Sequence, residues 1–183
     1  MKTTMKLFAA LTIMLGFTVT SFGQIVNNIA ATANVLGALS VNKVTDLAFG
    51  NVALAGSKSV SIEGLASGPG SAGGTVTAGC FRVDKTTGTH VDVTFTTLPT
   101  PLIGSVTGST LPITYDAATW NTSVSVGAGT EVSLVPNTPT QIDDSSPSVW
   151  VHLAGTVNPK TTGTGQTVVG TYTANVYLSA VYN

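Results

Sequence analysis

GTYTANVYLSAVYN, residues 170–183, is where the fold class first becomes readable. Apolar residues take every even position from Tyr172 to Tyr182: Tyr172, Ala174, Val176, Leu178, Ala180 and Tyr182. The odd positions are polar except for Tyr177 and Val181. Successive side chains of a strand point to opposite faces, so a period of two marks a β-strand with one face covered. The run therefore reads as one long final strand. Extended at about 3.3 Å per residue it would reach ~40 Å, well past the usual strand of about 5–6 residues. An apolar face of that length needs a second sheet packed against it.

The same period recurs along the chain. Ala31, Ala33, Val35, Leu39 and Val41 alternate with Thr32, Asn34, Ser40 and Asn42. Val60 and Ile62 sit between Ser59, Ser61 and Glu63, and Val91, Val93 and Phe95 between His90, Asp92, Thr94 and Thr96. Further sets are Leu111, Ile113 and Tyr115; Val132 and Leu134; and Val149, Val151 and Leu153. Between them lie turn-forming clusters, SGPGSAGG (Ser67–Gly74), VPNTP (Val135–Pro139) and NPKTTGTGQ (Asn158–Gln166). Many short alternating runs separated by turns predict an all-β chain, a single antiparallel β-sandwich of Ig-like or pilin-like type. No sustained 3.6 period predicts a long helix. SGPGSAGG reads as a mobile hairpin loop, since a phosphate cradle would need a following helix and a Lys or Ser/Thr at fixed spacing.

The first residues have a different logic. Lys2 and Lys6 precede an apolar run from Leu7 to Val19, and Ser21-Phe22-Gly23 places small residues at −3 and −1 of a cleavage site. Residues 1–23 are read as a cleaved secretory signal peptide and Gln24–Asn183 as the β-sandwich domain. The run is shorter than the roughly 20 residues of a membrane span, so no span is expected after cleavage. The expected location is secreted or cell-surface, by export across the inner membrane.

Composition narrows the roles further. Charged residues make up 8% of the 183-residue chain, with Lys and Arg totalling 7 against 8 Asp and Glu. The usual charged share is about 25%. Without a basic stripe there is no expectation of nucleic-acid binding. A hydrophobic content of 43% argues against disorder. Cys80 is the single cysteine, so the chain has no internal disulfide. It reads as a small buried hydrophobe, with no basic residue placed by sequence to activate it.

Three stretches carry a resemblance. LAFGNVALAGSKSVSIEG (Leu47–Gly64) contains an L-x-F-G turn. GCFRVDKTTGTHVDVTFTTLP (Gly79–Pro99) has the F-x-V and T-G elements of a central strand pair, and the last strand opens G-x-Y at Gly170. In this order they resemble the bacterial secreted family called domain of unknown function 4402. The resemblance implies an exported β-sandwich protein whose final strand is similar to those of fimbrial and spore-coat subunits. It defines no catalytic residue. The TTGTGQ loop before the last strand departs from the pattern.

Candidate chemistry is sparse. His90 and Asp92 share a strand face but supply too few ligands for a metal. Asp143 and Asp144 read as a turn capped by carboxylates rather than a calcium site. His152 reads as outward-facing beside Trp150. A Ser-His-Asp triad is a spatial arrangement that sequence does not exclude, but no G-x-S-x-G elbow is present. The Asn121-Thr122-Ser123 sequon is given no weight. Trp120 and Trp150 either stack on sugar rings or anchor the core. The expectation is a non-enzymatic surface or extracellular subunit, structural or adhesive, without catalytic, metal or cofactor residues. The alternative is a glycan- or protein-binding module contacting its ligand through Trp120 and Trp150. Expected partners are further copies of the chain, other surface proteins or glycans. The terminal strands, Ala31, Ala33, Val35, Leu39 and Val41 at one end and Tyr172, Val176, Leu178 and Tyr182 at the other, are the candidate strand-exchange segments. They are expected to lie beside each other, with the final strand closing the sandwich.

Overall fold

The protein is seen in a computed structural model. It describes residues 32–125 and 132–183; the signal-peptide reading of 1–23, and Ala31, lie outside them. Leu36–Asn183 forms a compact unit separate from Met1–Val35.

The described residues fold as thirteen strands: β1 (Ser40–Thr45), β2 (Lys58–Val60), β3 (Ala66–Ser67), β4 (Gly79–Asp84), β5 (Val91–Thr97), β6 (Leu102–Gly104), β7 (Thr110–Leu111), β8 (Ile113–Asn121), β9 (Val132–Leu134), β10 (Thr140–Ile142), β11 (Ser148–Val157), β12 (Tyr172–Thr173) and β13 (Tyr177–Tyr182). All pair antiparallel, in three sheets. The largest is built on β11. β8 lies along one side of it, and β4 and then β2 follow each other along the other side. β1 extends the sheet beyond β4, β3 beyond β2 and β9 beyond β8. The two smaller sheets run β10-β5-β13 and β12-β6-β7.

Alternation in β11 sets the layers. Val149, Val151, Leu153 and Val157 point inward and are buried. At the β4 end they meet Val91, Val93, Phe95 and Ile142 of the β10-β5-β13 sheet. At the β2 end, Val157, Val60 and Ile113 meet Leu102 and Leu111 of the β12-β6-β7 sheet, with Phe49 between. The result is sandwich-like: one large sheet covered by two small ones.

β8 needs a device to serve both cores. Its inward residues are Ile113 and Tyr115 at one end but Ala118 and Trp120 at the other, a change of parity. Register shows the cause: Ala154 pairs Ala117, yet Thr156 pairs Thr114, so β8 carries an extra residue opposite Gly155. Such a bulge re-aims every side chain beyond it.

Four expectations are corrected. The final run is two strands: β12 pairs β6 in one sheet and β13 pairs β5 in another, with Ala174–Val176 between. The N-terminal strand begins at Ser40. Thr32–Leu39, with Ala33 and Val35, forms no strand, while Leu39 and Val41 pack on the core as expected. β1 pairs β4 and does not pair β13. The expected central pair, β4 and β5, is also split between opposite layers.

The Gly-rich Ser67–Gly74 stretch is tied down along Ala48–Lys58. Asn51 and Ala53 donate backbone N–H groups to the Gly73 and Gly70 carbonyls, and Gly70 donates to Ser57 O. Gly50 of the L-x-F-G turn has φ 62°, and a Cβ there would stand 2.7 Å from the Gly73 carbonyl. Glycine is required on both counts.

Candidate functional site

Two regions of the fold collect the residues singled out above. The first is the outer face of the large sheet. Even-numbered residues of β11 point there, so cross-strand pairing aligns Arg82, Trp150 and Asn121 in one row and Cys80, His152 and Thr119 in the next; only Arg82 and Trp150 of these reach solvent, and His152, read as outward-facing, is buried at 3% exposure. Trp150 is half-buried, with the Arg82 guanidinium 5.7 Å from the ring centre. Arg82 Nε also donates to Asp84 Oδ1 at 2.8 Å. One face of the indole is thus already occupied by a cation. Trp120 points the other way, into the core, and is 7% exposed. Any ligand contact by a tryptophan of this fold therefore falls to Trp150.

The second row shows what sequence spacing missed. Register places His152 directly opposite Cys80, although 72 positions of chain numbering hide the relation. The pair is not an activated nucleophile, however: burial pushes the Cys80 thiol up to about 11. A neutral buried thiol is a poor nucleophile.

The remaining titratable candidates make local structural contacts. His90 Nδ1 lies 2.8 Å from Asp143 Oδ1, both exposed. Asp92 accepts from the Asn183 side chain at 3.2 Å. Asp144 accepts from the Ser146 N–H at 2.6 Å, and hydrogen bonding by Ser146 holds its carboxyl below the usual range. That is the capped turn read from the sequence. Among the described residues no three His, Cys, Asp or Glu side chains gather as metal ligands.

The second region is a groove of about 830 Å³. One wall is the C-terminal half of β1 and the chain that follows, from Lys43 to Leu54. The other is Thr167–Val176, which includes β12 and the link to β13. Its floor is apolar, with Leu47, Phe81, Tyr115 and Val176 each only partly covered by the core behind them. β1, β12 and β13 each have a strand partner on one side only among the described strands. The groove therefore has two free edges on its walls, β1 at Lys43 and Thr45 and β12 at Tyr172 and Thr173, while beyond Thr45 the wall is bonded through Ala48, Asn51 and Ala53 to Thr77 and the Gly-rich stretch. Of the sequence candidates, Tyr172 and Val176 line it, while Leu178 and Tyr182 pack on the large core beside it.

No long apolar helix occurs among the described residues that would cross a membrane. Compared with protein-family models, with curated proteins and with solved structures, the chain matches none of them.

Proposed function

We propose that this chain is an exported, non-enzymatic surface or extracellular subunit with a structural or adhesive role, built as an Ig-like or pilin-like sandwich. The supporting observation is the groove: an apolar floor bounded by the free edges of β1 and β12. Edges of this kind add strands from other chains, and natural folds otherwise blunt or cover them. The basic-apolar-small N-terminus supplies the route of export. The resemblance to the domain of unknown function 4402 family is part of this proposal and rests on the quoted stretches alone, since no family model matches the chain.

The test is location. Cells making the full chain should release a product beginning at Gln24, or expose it to protease added to intact cells. An uncleaved product retained in the cytoplasm would refute the reading. The second reading, a glycan- or protein-binding module, is favoured by the half-exposed Trp150 beside Arg82 on the outer face. A glycan-array signal lost in Trp150→Ala would support it, and no signal from the intact protein would count against its sugar version.

A further inference from the structure

We infer that the groove between β1 and β12 is the seat for a strand from a second copy of this chain, residues Gln24–Val35. The inference rests on the surface-subunit reading for its biological setting, but its chemistry stands on the groove.

The groove asks for a particular occupant. Its walls offer backbone edges, so the occupant should be extended chain. Its floor is a row of half-covered apolar side chains, so alternate residues of that chain should be apolar. Lys43 and Asp46 on one wall already pair with each other at 2.9 Å, so no wall charge is left seeking a partner there. The occupant should accordingly be uncharged, since burying an unpaired charge is costly.

QIVNNIAATANV, Gln24–Val35, meets each requirement. It contains no charged residue. From Asn28 onward, Ile29, Ala31, Ala33 and Val35 are apolar at a period of two against Asn28, Thr32 and Asn34, with Ala30 the exception; Val26 and Asn27 fall outside the period. Extended, it spans about 40 Å. Val35 is 92% exposed, an apolar side chain with no cover of its own.

The root of the segment decides which copy it serves. Gly37 donates its N–H to Thr86 Oγ1 at 2.6 Å, and its carbonyl accepts from Tyr182 Oη at 3.0 Å. These bonds fix the chain just before the start of β1. The groove begins at the other end of β1, at Lys43. A segment continuing the line of β1 away from Lys43 would meet the groove of a neighbour rather than its own. Passed from each copy to the next, such a contact is head-to-tail and propagates into a chain of subunits.

The test uses the chain Gln24–Asn183 carrying Cys80→Ala and Ala174→Cys, with a second cysteine at position 31, 33 or 35 in turn. Ala174 lines the groove and is exposed. The three arm positions sample the register in steps of two. Under oxidation with copper–phenanthroline, a ladder of disulfide-linked dimers, trimers and longer species is expected from at least one variant. A fast-running cross-linked monomer would place the arm in its own groove and overturn the inference. Failure of all three to cross-link would overturn it too, whether light scattering finds a monomer or an oligomer joined elsewhere. Export is read separately on cells, so a surface-exposed protein that gives no ladder removes this inference alone.

Discussion

Lys58 has the largest of the fully buried side chains, at 0% exposure, and it carries a charge. Its ammonium donates to Asn51 O at 2.9 Å and Gly73 O at 3.0 Å, joining the L-x-F-G turn to the Gly-rich stretch beneath β2. Hydrogen bonds from a charged donor contribute about 1.5–3 kcal/mol each. Part of that is offset by relief of burying the charge. Lys58→Met should therefore lower stability by about 2 kcal/mol, seen as a fall in the urea midpoint with little change in slope. An unchanged midpoint would mean the two carbonyls gain nothing from the ammonium. Lys58 stands two residues before Val60 and so shares its strand face, but nothing in the sequence marks its acceptors, which come from backbone 7 and 15 residues away. Cys80 makes a second prediction. Burial favours its neutral form, raising the thiol from its ordinary 9.0 to about 11. The unfolded chain then loses this proton first as pH rises. The thiol's contribution to stability is complete below about pH 8, declines as pH passes 9 and is lost above 11. At pH 8 a disulfide reagent should label Cys80 rapidly in urea and very slowly in the native protein. Rapid native labelling would contradict the burial.

At the scale of elements, the bulge in β8 explains why one strand serves two cores. Leu111, Ile113 and Tyr115 were legible as an apolar set, but the shift to Ala118 and Trp120 breaks the period at Asp116 and Ala117. A bulge is a property of pairing with β11, so a single strand's pattern shows only an interruption. That interruption is also why Trp120 remained open between core and ligand. Gly155, opposite the bulge, has no room for a side chain: a Cβ would stand 2.8 Å from the Thr114 carbonyl and 3.7 Å from the Phe49 ring. Backbone cannot yield as a side-chain tip can. Gly155→Ala should cost about 1–3 kcal/mol, the range for overpacking a core, measurable by thermal or urea denaturation. A neutral result would show that the β8–β11 bulge is free to shift. The final run fails differently. Both halves of Tyr172–Tyr182 have the same period, and nothing in that pattern says that β12 and β13 take partners in different sheets. Periodicity reports a covered face and is silent about the edge.

At the scale of the molecule, the strands nearest the two ends of the described chain lie at the edges of different sheets, β1 on the large sheet and β13 on a small one. The Tyr182 hydroxyl touches both the approach to β1, through the Gly37 carbonyl, and the β4–β5 connection, by accepting the Thr86 N–H at 2.9 Å. Both edges, with β12, leave backbone groups without a strand partner, and the half-covered floor of the groove lies between β1 and β12. The sequence made the all-β class legible because burial on one face writes a period of two. It could not show the groove, which is made by the relative placement of segments more than 100 positions apart, such as Lys43 and Val176. An occupied groove has a thermodynamic consequence independent of any cross-link. A strand that binds only the folded chain stabilises it by mass action, so the melting temperature of Gln24–Asn183 should rise with protein concentration. Ala33→Asp/Val35→Asp provides the control. Both positions are exposed in the single chain, where surface changes usually alter stability by less than about 0.5 kcal/mol. Carried into an apolar groove, two carboxylates would lose their hydration without a partner. The double variant should melt at the temperature the parent approaches on dilution, and that temperature should not change with concentration. If parent and variant melt together at every concentration, the arm contributes nothing to the fold's stability and the edges are covered by something else.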